Sequence, residues 1–348
     1  MSVSWHRARR AALALAWLAC LPPPQAQAAL SCSLASVNPL DFGAVSPLDA
    51  AATDVTSPFT ITCRALKGDL PGPAGSTRVV NLCASYDNGS GGAGTGGNRQ
   101  LLNGANIATF DLYPTGAYGP THWGNRNGAP AGTVAQATVT LTKTGGPGTT
   151  PTAPQSTVLT AYGRLFGGQN TLPPETYTST LTLTVDAFWN DLKNDCAAGG
   201  AVESAPSAAQ LVTVAYQNEC RVGTVSTLDF GSSGFLTSNL DATTSVSVTC
   251  TSGTPYRVGL DAGVGAGATT SSRRMTRTAA PLSTVDYGLY RDAGRSLNWG
   301  NDSAVGSDTQ NGTGSGTAAS YPIYGRVPPQ ATPEPGDYLD TIVLGVVF

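Results

Sequence analysis

The chain divides at Ala209-Gln-Leu-Val-Thr-Val-Ala-Tyr-Gln-Asn-Glu-Cys220, because similar sequence landmarks occur in the same order on both sides of this stretch. Leu40-Asp-Phe-Gly43 follows Cys32, and Leu228-Asp-Phe-Gly231 follows Cys220 at the same distance. The other recurring landmarks are Cys63 and Cys250, Trp123-Gly-Asn125 and Trp299-Gly-Asn301, and Tyr162-Gly-Arg164 and Tyr324-Gly-Arg326. The sequence therefore predicts a tandem repeat, with copy one at 29–196, a linker at 197–219 and copy two at 220–348.

Both copies show the two-residue period of β-strands. In copy one Phe59, Ile61 and Cys63 alternate with threonines, as expected for a strand with one buried face. The chain has 42 glycines and 24 prolines, turn signals recur about every 8–15 residues, and no helical period extends over ten or more residues. The pattern predicts an all-β protein of sandwich or barrel domains.

The first 28 residues have the composition of an export signal. Three arginines precede the apolar run Ala11–Leu21, and Ala26-Gln-Ala28 supplies a small-x-small cleavage site. The run is shorter than the roughly 20 residues that a spanning helix needs. We therefore expect export, with the mature chain starting at Ala29. A lipid anchor on Cys20 is the alternative, although Trp17 stands where a lipobox usually carries leucine.

Removal of the signal leaves six cysteines, an even number that favours disulfides in an exported chain. Six cysteines allow 15 connectivities, and the repeat selects one of them. It makes Cys32–Cys63 and Cys220–Cys250 equivalent pairs, and Cys83–Cys196 remains as an additional pair in copy one.

Composition and motifs argue against nucleic-acid binding and catalysis. The signal holds three of the 19 basic residues and none of the 22 acidic ones, so the mature chain has a net charge of about −6 and no basic stripe for phosphates. His122 is the single histidine of the mature chain, and Asn298 replaces it in copy two. We therefore predict no enzyme, no metal site and no cofactor. A carboxylate pair of a secreted carbohydrate-active enzyme remains an alternative.

The repeated landmarks resemble the spore coat protein U domain, which is found in subunits of archaic, Csu-type chaperone–usher pili. The resemblance covers both copies and follows the pattern to the last residue in Pro335-Gly-Asp-Tyr-Leu-Asp-Thr341 and the strand after it. Copy one departs from the pattern at Pro173-Pro-Glu-Thr-Tyr177 and in its added cysteine pair. The resemblance implies two tandem immunoglobulin-like, pilin-like β-sandwiches, of which the second lacks one strand.

The resemblance also implies partners that supply the missing strand. These are a periplasmic chaperone, an outer-membrane usher and an adjacent pilin subunit that donates a strand by main-chain pairing. The edge that meets them is expected on the closing strand, at Leu339, Ile342, Leu344, Val346 and Phe348. The alternative is a normal closing strand of a complete sandwich.

The segment between the copies alternates as a strand does. Gln210, Val212, Val214 and Tyr216 share one face, just ahead of Cys220, where an ordinary pilin carries its donor strand. Only Ala29–Ser31 precede Cys32, so we expect a subunit that accepts a strand and donates none to another subunit. Our hypothesis is that the segment complements copy one within the chain, and the alternative is an ordinary first strand of copy two.

The resulting functional prediction is a pilus tip adhesin at the cell surface that mediates surface attachment and biofilm formation after assembly in the periplasm. Its receptor is unknown. Aromatic and apolar loop residues of copy one are the candidate adhesive positions, namely Tyr118, Trp123, Phe166 and Leu172. A core role is the alternative for Trp123, because Trp299 repeats it. The alternative is a structural secreted coat or matrix protein.

Overall fold

A computed structural model describes residues 30–66, 70, 72–94, 97–145, 152–191, 195–197, 202–301 and 308–348. The predicted export signal and Cys20 lie outside these ranges. Within them every regular element is a β-strand, and no helix is long and apolar enough to cross a membrane.

Copy one and the segment after it contain ten strands in the described ranges. These are β1 Leu30–Ala35, β2 Leu40–Val45, β3 Thr53–Ala65, β4 Thr77–Tyr86, β5 Arg99–Asn103, β6 Asn106–Tyr113, β7 Ala135–Thr142, β8 Gln155–Leu165, β9 Thr176–Trp189 and β10 Ser207–Tyr216. They form one curled sheet in the order β1-β3-β8-β6-β5-β9-β10-β2, and β4 connects β9 to β7. Because the sheet folds over on itself, alternate side chains enclose a single core, which is the packing of a β-sandwich.

Copy two contains nine strands in the described ranges. These are β11 Cys220–Val225, β12 Leu240–Cys250, β13 Pro255–Leu260, β14 Arg273–Arg277, β15 Thr284–Tyr290, β16 Gln310–Thr313, β17 Ala318–Val327, β18 Tyr338–Leu339 and β19 Leu344–Val347. They form two sheets, ordered β11-β12-β17-β15-β14-β18 and β16-β13-β19. The predicted all-β class with two sandwich domains is confirmed.

Two buried tryptophans fix the correspondence between the copies. Trp123 Nε1 donates to Ala84 O at 2.8 Å in copy one, and Trp299 Nε1 donates to Val258 O at 2.9 Å in copy two. Ala84 pairs with Val185 on β9, and Val258 pairs with Val346 on β19. Val346 is therefore the counterpart of Val185. On this alignment β18 and β19 together correspond to β9, whereas β2 and β10 have no counterpart strand among the described residues of copy two.

Three disulfides brace the sandwiches. Cys32–Cys63 joins directly paired residues of β1 and β3, and Cys220–Cys250 joins directly paired residues of β11 and β12. Cys83–Cys196 ties β4 to the segment after β9 and closes a separation of 113 residues. These are the pairs expected from the repeat. The third has no counterpart in copy two because Val258 and its neighbours include no cysteine.

The two copies meet through a short and well-bonded junction. Residues 217–219 separate β10 from β11. Arg221 Nη2 lies 2.6 Å from Asp49 Oδ1, and Arg221 Nη1 donates to Leu48 O at 3.0 Å. Asn170 Nδ2 donates to Gly316 O at 2.8 Å on the opposite side. The β2–β3 and β8–β9 loops of copy one therefore face copy two.

Candidate functional site

The segment between the copies is an integral strand of copy one. β10 pairs antiparallel with β9 from Ser207 opposite Thr184 to Ala215 opposite Thr176. On its other side it runs parallel to β2, with Val212 opposite Leu40 and Tyr216 close to the end of β2. β10 therefore fills the position between β9 and β2 and completes the sheet there.

The alternation of β10 separates a buried face from an exposed one. Gln210, Val212, Val214 and Tyr216 are 1%, 0%, 0% and 4% exposed, whereas Leu211 is 41% exposed. The two valines and the tyrosine belong to the core of copy one. Burial of three such side chains contributes roughly 5–9 kcal/mol at ~1.5–3 kcal/mol each, which is comparable with the net stability of a domain.

Tyr216 closes the junction end of this core. Its ring packs edge-on against the ring of Tyr177, with 5.4 Å between centroids. Burial raises the pKa of Tyr216 well above its usual range and raises the pKa of Tyr177 to about 12. Tyr177 also donates its hydroxyl proton to Pro173 O at 3.1 Å. Both rings are therefore held in their neutral form by the fold.

Gln210 is the single polar member of the buried face. Its Nε2 donates to Asn38 O at 2.8 Å and to Ser57 Oγ at 3.0 Å. Ser57 Oγ in turn donates to Asn38 O at 3.1 Å. The amide thus reaches across the sandwich to β3. These bonds satisfy its Nε2, whereas its buried Oε1 has no hydrogen-bond partner among the described residues.

In copy one the repeated Leu-Asp-Phe-Gly landmark begins β2 beside β10, at a point where the pairing register shifts. Asp41 Oδ1 accepts from Gly43 N at 2.9 Å, and Asp229 Oδ1 accepts from Gly231 N at 2.8 Å. Both glycines have φ of 73°, a conformation that other residues rarely adopt. In copy one Thr213 Oγ1 of β10 also donates to Asp41 Oδ1 at 2.9 Å. The aspartates are therefore structural, in agreement with their position at strand ends.

The middle of β9 depends on β10 for its pairing. β9 meets β5 only at Thr178 and meets β4 only from Leu183 onward. Among the strands, Ser179–Thr182 therefore pair with β10 alone, and the segment after β4 bonds to the main chain of Thr180 and Thr182, through Ser90 and Asp87. The corresponding residues of copy two, Asp340–Val343, have no partner strand among the described residues and are not a strand. Copy two lacks a strand at the place where β10 completes copy one.

The missing strand leaves an open groove in copy two, lined by the inward residues of its closing segment. Ile342, Leu344 and Val346 remain partly exposed while packing on the core, and Leu228 and Phe230 line the other side. Their counterparts in copy one are all buried, namely Leu181, Leu183, Val185, Leu40 and Phe42. We name these five residues of copy two and the gap between them the strand groove.

The predicted edge residues divide between two faces. Ile342, Leu344 and Val346 point into the strand groove, whereas Leu339 is 67% exposed and belongs to β18, which pairs with β14. Phe348 is 56% exposed just beyond β19. The closing strand is interrupted between β18 and β19, because Asp340–Val343 have no partner strand among the described residues, and the main chain of Val343 bonds there to Asp261. Leu339 therefore does not line the groove.

The structure corrects the candidate adhesive positions. Trp123 was a wrong candidate because its ring is fully buried and its indole nitrogen bonds to Ala84 O. Tyr118 packs edge-on against Tyr113, with the Arg164 guanidinium 3.9 Å from its ring centre. Leu172 packs against the core of copy one. Phe166 and Leu172 belong to the β8–β9 loop, which faces copy two rather than the free end.

Sequence reasoning missed a buried charge cluster near His122. Arg99 Nη1 lies 2.6 Å from Asp111 Oδ1, and both side chains are fully buried. His122 Nδ1 lies 2.6 Å from Asp111 Oδ2. Copy two keeps the arginine as Arg273 but has Gly288 in place of Asp111. Arg99 and Arg273 both donate to the carbonyl of the repeated tryptophan, which indicates a structural role. Within the described ranges no cluster of histidine, cysteine and carboxylate side chains could hold a metal.

Comparison with protein families assigns both copies. The family model of the spore coat protein U domain matches residues 22–184 and 207–345. The chain belongs to the spore coat protein U domain family. The second match begins at β10, although β10 packs in the first spore coat protein U domain. Sequence assignment and packing therefore place this strand in different domains.

One solved structure supports the fold over most of the chain. The chain is similar to the CsuC–CsuE chaperone–tip adhesion subunit pre-assembly complex from archaic chaperone–usher Csu pili of Acinetobacter baumannii, with 15% identity and a TM-score of 0.51 over 91% of this chain and 100% of that chain. A second match, the CupB6 tip adhesin from Pseudomonas aeruginosa, has 11% identity and a TM-score of 0.35 over 92% and 95% of the two chains. No curated protein sequence matches this spore coat protein U chain significantly. The first similarity supports the two-domain fold.

Proposed function

We propose that this chain is a two-domain tip adhesin subunit of a chaperone–usher pilus, in which copy one binds a surface and copy two joins the fibre. The observation that carries the proposal is the contrast at one position of the fold. β10 closes copy one from within the chain, whereas copy two presents the strand groove. A domain of the first kind is self-sufficient, and one of the second kind requires a strand from another chain.

The proposed partners follow from the groove. A periplasmic chaperone would cover it after export, and the donor strand of the next subunit would replace the chaperone when an outer-membrane usher assembles the fibre. An apolar edge such as β19, left uncovered, is an aggregation hazard. An open groove that takes up a strand supports incorporation into a fibre. Surface attachment and biofilm formation, rather than catalysis, are the role we propose for that fibre.

The proposed adhesive end of copy one is the end opposite the junction. β3 runs from Thr53 beside the junction loops to Ala65, a distance of roughly 40 Å at ~3.3 Å per residue. The described residues that flank the β3–β4, β7–β8 and β9–β10 connections lie at this free end. Leu66 and Val202 expose apolar surface there. These loops replace the β8–β9 loop as our candidates for surface contact.

Chaperone dependence is the direct test. We expect periplasmic co-expression with a candidate pilus chaperone to allow capture of the full mature chain but not of a chain lacking Leu339–Phe348. A Leu344→Asp variant should lose capture because its side chain points into the groove, whereas Val343→Asp, on the exposed side, should keep it. A soluble monomer that ignores every chaperone tested would favour the structural coat or matrix protein instead.

The adhesive end requires a separate assay, because copy one need not depend on copy two. We expect a Leu66→Ser and Val202→Ser double variant to bind less than the unchanged mature chain to polystyrene, an apolar test surface. Ile107→Ser is the matched control, since Ile107 is similarly exposed at 43% but lies near the junction. Equal binding by all three proteins would exclude the free end as the adhesive surface.

A further inference from the structure

The polar pocket that receives Gln210 in copy one is repeated beneath the strand groove of copy two. In copy one Ser57 Oγ donates to Asn38 O at 3.1 Å, and in copy two Thr244 Oγ1 donates to Ser226 O at 3.1 Å. Asn38 and Ser226 each stand six residues after the first cysteine of their copy. Ser57 and Thr244 each follow the residue that pairs with the tyrosine of Tyr-Gly-Arg. The two pockets are therefore equivalent in position and chemistry.

The pocket selects a hydrogen-bond donor from the strand above it. In copy one both oxygen atoms of the pocket accept from Gln210 Nε2, and Gln210 is only 1% exposed. An aliphatic side chain at this place would exclude water from the two oxygens and leave them only the hydrogen bond from Ser57 to Asn38, so that the acceptor capacity filled by the amide is lost in a buried site. A single buried polar contact of this kind also fixes the register of an otherwise apolar strand.

The register of β10 transfers the position of the amide to copy two. Gln210 pairs with Leu181, whose counterpart is Ile342. The residues two and four positions later, Val212 and Val214, pair with the counterparts of Asp340 and Tyr338. The Asp340 carboxylate accepts from Tyr287 OH at 2.7 Å and from Val264 N at 2.8 Å. Because that carboxylate is already bonded, it does not oppose an apolar residue at the second position.

We propose that the strand which fills copy two in the fibre carries a side-chain amide, glutamine or asparagine, opposite Ile342, followed by apolar side chains two and four residues later. The donor is a segment of a neighbouring subunit that runs antiparallel to β19, as β10 runs antiparallel to β9. The inference rests on the proposed function, because it names a feature of the partner strand at the same groove.

The chain supplies its own probe for this pocket. A synthetic peptide of residues 207–217 reproduces β10, and a Gln210→Leu version keeps its volume and apolar pattern while removing the donor. Both are titrated onto the full mature chain, with hydrogen exchange at β19 reporting occupancy of copy two and at β9 reporting any exchange into copy one. We expect the leucine peptide to bind about tenfold more weakly, the effect of one lost net hydrogen bond.

A groove variant completes the cycle. In a Thr244→Val chain, which lacks the pocket hydroxyl, we expect the preference for the glutamine peptide to fall from about tenfold to about twofold or less, since Ser226 O remains. Equal or tighter binding of the leucine peptide to the unchanged chain would overturn the amide requirement while leaving the open groove intact. Failure of both peptides to protect β19 would overturn the amide requirement together with the proposed strand acceptance.

Discussion

The two copies share a fold and differ at one strand position. In copy one, β10 lies between β9 and β2 and buries Leu40, Phe42 and Leu181. In copy two the counterparts Leu228, Phe230 and Ile342 pack on the core but remain partly exposed. The gap also affects the segments on either side of it in copy two. The counterparts of β2 and of the middle of β9 are not strands there. The comparison teaches that one 10-residue segment decides whether this sandwich is closed or open.

The largest effect on copy one is expected from a charge on the buried face of β10. Val214→Asp removes a buried apolar side chain and buries an unpaired carboxylate, which should cost roughly 5 kcal/mol or more and unfold copy one at neutral pH. Leu211→Asp, on the exposed face of the same strand, should change the stability by less than about 1 kcal/mol. Denaturant unfolding followed separately for the two copies checks both values. Similar stability of the two variants would show that β10 does not support copy one.

The reverse change should close copy two. Residues 207–216 are appended after Phe348 through a short flexible linker, so that a second β10 can enter the strand groove. The added valines and tyrosine should raise the free energy of unfolding of copy two by about 4 kcal/mol, less than their full burial because the linker must be ordered. An appended segment with both valines changed to aspartate is the control. A gain from the control equal to that from the native segment would contradict strand insertion.

Removal of the additional disulfide should lower the stability of copy one and leave that of copy two unchanged. Cys83→Ala with Cys196→Ala opens a loop of 113 residues in copy one, which should cost about 3 kcal/mol. Copy two should unfold as before, because its own disulfide is intact. Calorimetry of the double alanine variant beside the unchanged chain measures the shift in the unfolding temperature of each copy. A shift confined to copy two would contradict the assignment of this disulfide as a brace of copy one.

Alkaline pH should weaken copy one through the tyrosines at the end of β10. The folded pKa of Tyr177 is about 12, above its usual value near 10, so the fold favours the neutral ring. The stability from this group is complete below pH 10 and is lost as the pH rises toward 12. Tyr216, with a pKa raised in the same direction, has no hydrogen-bond partner for its hydroxyl among the described residues. Tyr216→Phe should therefore be nearly neutral at pH 7 and should reduce the loss above pH 10, as followed by unfolding at graded pH.

The sequence predicted local features better than partners. The buried face of β10 was read from its two-residue period, because that period is a property of one strand. Its partner is set by packing between distant segments, so the same pattern fitted either copy. Trp123 lies between strands as predicted, but its ring belongs to the core, and its repetition as Trp299 was the signal that favoured the core alternative. The end of the domain on which Phe166 lies follows only from the sheet topology.

The buried Arg99 and Asp111 pair escaped prediction for a related reason. Its two members are 12 residues apart on neighbouring strands, and copy two offers Gly288 instead of a second acid. A landmark shared by both copies was easier to recognise than a feature of one copy. The open groove was predicted through the family resemblance, since no residue pattern by itself reports a strand that is missing.

Hydrogen exchange of the isolated mature chain tests the closed and open copies most directly. The account predicts strong protection of the Ser179 and Leu181 amides in the first segment, which face β10, and rapid exchange of the equivalent Asp340 and Ile342 amides in the second. Thr182 and Val343 are the internal references, because each donates its amide to an aspartate of its own copy. Addition of the residue 207–217 peptide should slow the second segment and leave the first unchanged. Equal protection of the two segments in the chain alone would contradict the account, because copy two would then be as complete as copy one.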